Sequence, residues 1–152
     1  MMWSLTMSDE IITCAGGAMD PGEAKRLSPV TLAFIGDAVF SLLSREHLLM
    51  SGVTRGGELH RRTVGYVRAG AQAAAAGQIE QTLSEDESEV FRRGRNASTA
   101  HVPKGTTMAV YHYATGLEAL TGYLYLCGRH DRVREIFAQA ARFLDGGEAA
   151  EP

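Results

Sequence analysis

Two acids stand alone in apolar surroundings, and no other residues in the chain are so well placed to do chemistry. Asp37 follows Gly36 in the run Val30-Thr-Leu-Ala-Phe-Ile-Gly-Asp-Ala-Val-Phe40, and Glu118 sits in the middle of Tyr113–Leu126 with no other charge near it. A carboxylate buried in such a setting is costly unless a cation or hydrogen-bond donors meet it. The helical neighbours of Glu118 at three and four residues' distance are Ala114, Thr115, Thr121 and Gly122. They are small enough to admit a second helix, an ion or water beside the carboxylate. If Asp37 and Glu118 met across the core, they would suit a divalent metal with oxygen ligands. Ion pairs with any of the thirteen arginines would isolate acids in the same way, and spacing alone leaves both readings open.

A second group is basic. Arg92-Arg93-Gly94-Arg95-Asn96, followed by Lys104, puts guanidinium and amide groups at a helix end and on a loop, where they can grip phosphates. The same residues also fit a helix C-terminus paired with the acids at Glu85–Glu89. His130-Asp131 has the look of a metal phosphohydrolase dipeptide. His60, His101 and His112 supply no partner pattern, so the pair marks a helix N-terminus instead. Cys14 and Cys127 have neither metal-ligand spacing nor the look of a disulfide framework.

The elements that must position these residues are all helical. Ser28-Pro29 is an N-cap with proline at the first helical position, and it opens a long helix to about Met50, closed by Ser51-Gly52. Apolar residues point in every direction around its first half, which predicts the central helix of the fold. Two or three short helices are expected over Thr54–Gln81, where Gly65, Gly70 and Gly77 interrupt an Ala-rich pattern. Ser84 and Glu87 form a capping box, with Arg92-Arg93 in the last turn and Gly94 as terminator. Residues 95–106 read as a loop. Thr107 caps a second long helix to Cys127 before Gly128, and a final amphipathic helix covers about Asp131–Leu144. No segment alternates with period two. The predicted fold is an all-α bundle of six or seven helices, with a mobile leader over 1–27 that holds no more than a short helical turn, a helical body over 28–144 and an acidic tail over 145–152.

With 152 residues, 45% hydrophobic and 22% charged, the chain makes one compact domain. It has no secretory n-region and no apolar run of membrane length, so a cytoplasmic location is expected. Its net charge of −3 is unevenly spread. Residues 1–24 carry four acids and residues 143–152 three, with no base in either; residues 25–142 hold fifteen bases against eleven acids, a surplus of +4. That modest surplus predicts weak, salt-sensitive binding of nucleic acid by one domain, strengthened by dimerisation.

The run Leu32-Ala-Phe-Ile-Gly-Asp-Ala-Val-Phe40 resembles the signature of ribonuclease III endonuclease domains. Arg92-Arg-Gly-Arg-Asn-Ala97, Val102-Pro-Lys104 and Tyr111-His-Tyr-Ala-Thr-Gly-Leu-Glu-Ala-Leu-Thr-Gly-Tyr-Leu-Tyr-Leu126 resemble its compact branch, Mini-ribonuclease III, over roughly residues 27–144. The resemblance implies a dimeric all-α endoribonuclease that cleaves double-stranded RNA with Mg²⁺, with Mn²⁺ able to substitute. It further implies maturation of the large-subunit (23S) ribosomal RNA precursor, leaving 5′-phosphate and 3′-hydroxyl ends. Asp37 and Glu118 fall on the family's catalytic, metal-holding carboxylates. Larger relatives carry two more, at the places of Ala33 and Thr115. RNA contact falls to Arg68, Arg93, Arg95, Asn96 and Lys104. The compact branch usually has lysine at Gly70, and often another at Ser98, which leaves Arg68 and Lys104 to compensate. With no double-stranded-RNA-binding domain in prospect, affinity must come from the homodimer or from a ribosomal protein on the precursor. The dimer also has a physical warrant, because so apolar a central helix has more surface than a small core can cover.

Two other classes compete. A non-catalytic helical RNA-binding protein would use the Arg95–Lys104 loop as a phosphate clamp and Asp37 as a structural pair. A nucleotide pyrophosphohydrolase would need clustered Glu-x-x-Glu ligands, whereas the acidic helix at Glu85–Glu89 faces Arg92-Arg93.

Overall fold

The computed structural model describes residues 17–97 and 101–149, so the expectations for residues 1–16, Ser98 and residues 150–152 lie outside the described residues. Among the described residues there is no strand. Seven α-helices follow in the order α1 (Pro21–Arg26), α2 (Pro29–Met50), α3 (Gly56–Val67), α4 (Ala69–Ile79), α5 (Glu85–Arg95), α6 (Met108–Leu126) and α7 (His130–Ala149), with a 3₁₀ turn at Glu80–Thr82 after α4.

Local chemistry sets most of the boundaries. Ser28 Oγ accepts from Thr31 N–H (3.1 Å) and Thr107 Oγ1 from Val110 N–H (3.2 Å), which satisfies donors at the starts of α2 and α6. Gly52 (φ 100°) and Gly128 (φ 73°) end the same two helices in the left-handed region. At α5 the capping box is reciprocal: Glu87 N–H donates to Ser84 Oγ (3.2 Å) and Ser84 N–H to Glu87 Oε1 (2.9 Å). Between α3 and α4 the chain breaks at Arg68, whose extended ψ of 148° stops one helix and starts the next.

Four expectations are corrected. The central helix is α6, not α2. Buried residues on α6 point in every direction, and it packs against α2, α4, α5, α7 and α1. The equally apolar α2 keeps one side open, with Phe34 78% and Met50 85% exposed. Residues 20–27 belong to the helical body and not to a leader. Asp20 caps α1, Ala24 is fully buried, and Lys25 pairs with Asp86 and Glu89 (3.5 Å) of α5. Gly94 does not end α5, which runs on to Arg95. It is needed for packing, since a Cβ there would lie 2.7 Å from Ala119 Cβ on α6. Finally, α7 outruns Leu144, and Asp145 accepts from Tyr66 Oη and pairs with His47 Nε2 (3.0 Å), which ties the end of α7 to α2 and α3.

Two glycines with opposite surroundings test this packing. A Cβ on Gly122 of α6 would overlap the Leu32 carbonyl oxygen of α2, whereas one on Gly77 of α4 meets nothing within 4 Å. Gly122→Ala is expected to destabilise by at least about 1–3 kcal/mol through overpacking. Gly77→Ala should stabilise by up to about 1 kcal/mol through helix propensity. Urea unfolding of both reads the signs, and a neutral Gly122→Ala would contradict the packing.

Candidate active site

The crossing of α2 and α6 creates the site. A Cβ on Gly36 would overlap the Glu118 carbonyl oxygen and lie 2.9 Å from Gly122 N, and the Leu32 carbonyl rests in the same way on Gly122. One glycine from each helix thus lets two backbones touch, as only glycine can. The residue after Gly36 is Asp37, and the carbonyl that Gly36 rests on belongs to Glu118. A single backbone contact therefore brings the two lone acids together. Both line an open cleft of about 320 Å³ with Val30, Ala33, Phe34, Tyr111 and Thr115. Ala33 and Thr115, where larger relatives would carry further carboxylates, face this same cleft. Thr115 Oγ1 donates to the Tyr111 carbonyl (2.9 Å).

Electrostatically the pair is uncompensated. Burial, and then the negative charge of Asp37, push Glu118 from its ordinary 4.5 up to about 8, while the Gln72 amide on α4 works in the opposite direction. Among the described residues no ion pair reaches either acid. The cations near other acids are spoken for: Arg132 holds Glu87 (2.7 Å), Arg95 holds Glu80 (3.1 Å), Arg134 holds Asp131 (2.6 Å) and Arg62 lies 3.7 Å from Glu58. The structural-pair reading of Asp37 thus finds no partner. Two carboxylates in one cleft with no cation, and a donor set made only of oxygen, fit a hard divalent ion and suit zinc poorly. Among the described residues no three His, Cys, Asp or Glu side chains cluster as ligands. An ion held by this pair would take the rest of its shell from water or substrate oxygens.

The basic residues separate into two groups. Arg68 and Lys104 line a second groove with Gly70, Thr106 and Tyr111, and Tyr111 also lines the acidic cleft, so the two depressions adjoin. The Arg68 guanidinium lies 3.4 Å from where a Cβ on Gly70 would be. Arg93, Arg95 and Asn96 do not line either depression. Arg93 donates to the Lys25 carbonyl (2.7 Å), Arg95 pairs with Glu80 and lies over the Tyr113 ring (5.6 Å to its centroid), and Asn96 is the exposed C-cap of α5. Gln72 was missed by sequence reasoning. An isolated Gln in an Ala-rich helix gives no local signal of its proximity to Glu118.

The Ribonuclease III domain family matches residues 30–129. Mini-ribonuclease 3 of Symbiobacterium thermophilum is 45% identical over 122 residues, which covers 80% of this chain and 94% of that relative. Mini-ribonuclease 3 of a Thermoanaerobacter species is 44% identical over 119 residues, covering 78% and 84%. An X-ray structure of a Fusobacterium nucleatum protein superposes with a TM-score of 0.71 at 28% identity, covering 79% of this chain and 96% of that one. The chain belongs to the ribonuclease III family and, within it, to the Mini-ribonuclease 3 branch. Its activity class is accordingly that of a metal-dependent endoribonuclease acting on double-stranded RNA.

The raised Glu118 value has a consequence for the metal-free protein. Its folded-state value lies above its unfolded one, so stability present below about pH 4.5 is lost as pH rises through about 8. Glu118→Gln removes that loss. In EDTA the variant should melt several degrees above wild type at about pH 8.5 and close to it at about pH 5. Equal melting temperatures at the higher pH would show that the two acids do not strain the fold.

Proposed function

We propose that Asp37 and Glu118 hold Mg²⁺, with Mn²⁺ able to stand in, and that the protein hydrolyses double-stranded RNA there to leave 5′-phosphate and 3′-hydroxyl ends. The observation that carries this reading is the uncompensated carboxylate pair in a cleft that adjoins, through Tyr111, a groove bearing Arg68 and Lys104. Bound at the pair, Mg²⁺ would act as a Lewis acid on phosphoryl oxygens and make an attacking water more acidic.

The chain's own residues do the rest. Asp37, exposed at the cleft mouth, and Glu118, more deeply set, would hold the ion beside the phosphodiester to be cut. Arg68 and Lys104 take neighbouring phosphates of the duplex, positioning the backbone without reading its sequence. Arg93 and Arg95 help to hold α5 against its neighbours, Asn96 caps that helix, and RNA contact rests chiefly on Arg68 and Lys104.

The working unit in this reading is a homodimer. Ile35, Ala38, Val39, Leu42 and Leu43 of α2, with Tyr125 of α6, line an apolar groove of about 260 Å³. A two-fold copy packed there would cover it and set two carboxylate pairs along one duplex. The substrate proposed is the precursor of the large-subunit ribosomal RNA, cut in the cytoplasm, with a ribosomal protein on the precursor as a further partner. No helix among the described residues is long and apolar enough to cross a membrane.

Incubating purified protein with the precursor duplex, with and without Mg²⁺, and mapping the ends tests this reading. Cleavage should require the ion and leave 5′-phosphates. Asp37→Asn should lower the rate at least about 1,000-fold, on the scale of losing a principal catalytic contact, while its melting curve and sedimentation match wild type. Undiminished cleavage by that variant sinks the assignment. Intact RNA under every condition would favour the non-catalytic RNA-binding alternative.

A further inference from the structure

Among the described residues the buried polar side chains have partners, with one exception. Ser44 donates to the Phe40 carbonyl, Thr63 to Leu59, Thr115 to Tyr111 and Thr121 to Leu117, while Glu87 is held by Ser84 and Arg132. Gln72 is 1% exposed, and its Nε2 is the only buried side-chain nitrogen or oxygen among the described residues with no hydrogen-bond partner. A donor stripped of water and left unpaired is expensive, and such groups in native proteins call for a reason. The reason lies across the α4–α6 interface. Ala71, Ala75 and Ala76 keep the buried side of α4 thin, the helix packs on α6, and the Gln72 amide is near enough to the Glu118 carboxylate to act on it while its Nε2 remains without a hydrogen-bond partner.

We propose that Gln72 is a positioning residue, whose buried Nε2–H donates to one Glu118 oxygen and so holds the carboxylate turned toward Asp37 for a divalent cation. This rests on the reading of Asp37 and Glu118 as the metal-holding pair. The residue type fits the task. A lysine or arginine at this place would neutralise Glu118 and compete with the ion, and a third acid would add to the repulsion. A neutral amide orients the carboxylate and leaves its charge for the metal. Partners of this kind behind metal ligands commonly change affinity or activity by about 10- to 100-fold. The orphaned donor and the uncompensated acid are thus two halves of one interaction, completed when Glu118 turns to its ligating position.

Gln72→Met tests this, because it keeps length and volume and removes only the donor. Mn²⁺ binding to the full-length protein without RNA, read by electron paramagnetic resonance of the free ion, should weaken about 10- to 100-fold. The melting temperature in EDTA should not fall, since an unpaired donor has been taken out of the interior. The Mg²⁺ concentration that half-saturates cleavage should rise by a similar factor. Gln72→Leu gives the same readout if the methionine variant packs poorly. Wild-type Mn²⁺ affinity in a folded Gln72 variant, with Asp37→Asn weakened, overturns the role of Gln72. Wild-type affinity in Asp37→Asn as well overturns the metal-pair reading beneath it. A loss of melting temperature with Mn²⁺ affinity unchanged assigns Gln72 to packing alone.

Discussion

A direct contact of two backbones, where Gly36 of α2 meets Glu118 and Gly122 of α6, sets the position of the two carboxylates proposed to hold the metal. Neither helix has a side chain at the point of contact, so the distance between them is fixed by peptide groups and cannot be relaxed by a rotamer change. Because Asp37 adjoins Gly36, and Glu118 supplies the carbonyl against which Gly36 packs, the two carboxylates inherit that rigidity. A site built on regular helices in this way holds its geometry better than one on loops. The same logic recurs one turn away. Gly94 and Gly116 bring α5 against α6, where a Cβ on Gly116 would lie 3.0 Å from the Phe91 ring.

That rigidity has an electrostatic cost, which among the described residues is left unrelieved at one place. Elsewhere buried or half-buried acids are matched: Glu87 by Arg132 and its own capping box, Asp86 by Lys25 and Tyr123 Oη (3.0 Å). Both matched acids are held below their ordinary range, Asp86 by its bond to Lys25 and Glu87 by Arg132 against the opposing effect of burial. Glu118 moves the other way, to about 8, because burial and Asp37 act on it with no cation in reach. Perturbation of this kind in a cleft marks functional sites. In the proposed reading a divalent ion at the pair would relieve this local instability, so that metal affinity and fold stability would be linked through the same two residues.

The carboxylate pair and most helix boundaries were legible in the sequence because their signals are local. An acid in an apolar run, a Ser or Thr cap, a capping box and a glycine after the last helical residue each show within a few positions. The errors came from long-range partners. Gly94 has the sequence look of a terminator, and only Ala119 on another helix shows that it is a packing glycine. Residues 20–27 looked featureless because Lys25 finds Asp86 sixty-one positions later. That the Lys25 carbonyl and Glu80 engage Arg93 and Arg95 is likewise hidden from the sequence, which shows only the composition of a phosphate grip. Even the central helix was misjudged, since α2 and α6 are about equally apolar and only assembly shows which one is surrounded.

The central claim is that the glycine crossing makes Asp37 and Glu118 one metal site. Anomalous diffraction from crystals soaked in Mn²⁺, under conditions where Mn²⁺ supports cleavage in solution, measures this directly. The account predicts a peak between the two helices with an oxygen of each carboxylate at about 2.1–2.3 Å, in the range of hard-cation coordination, and with no third protein carboxylate on the ion. A strong peak elsewhere, with the Asp37–Glu118 cleft empty, would contradict it.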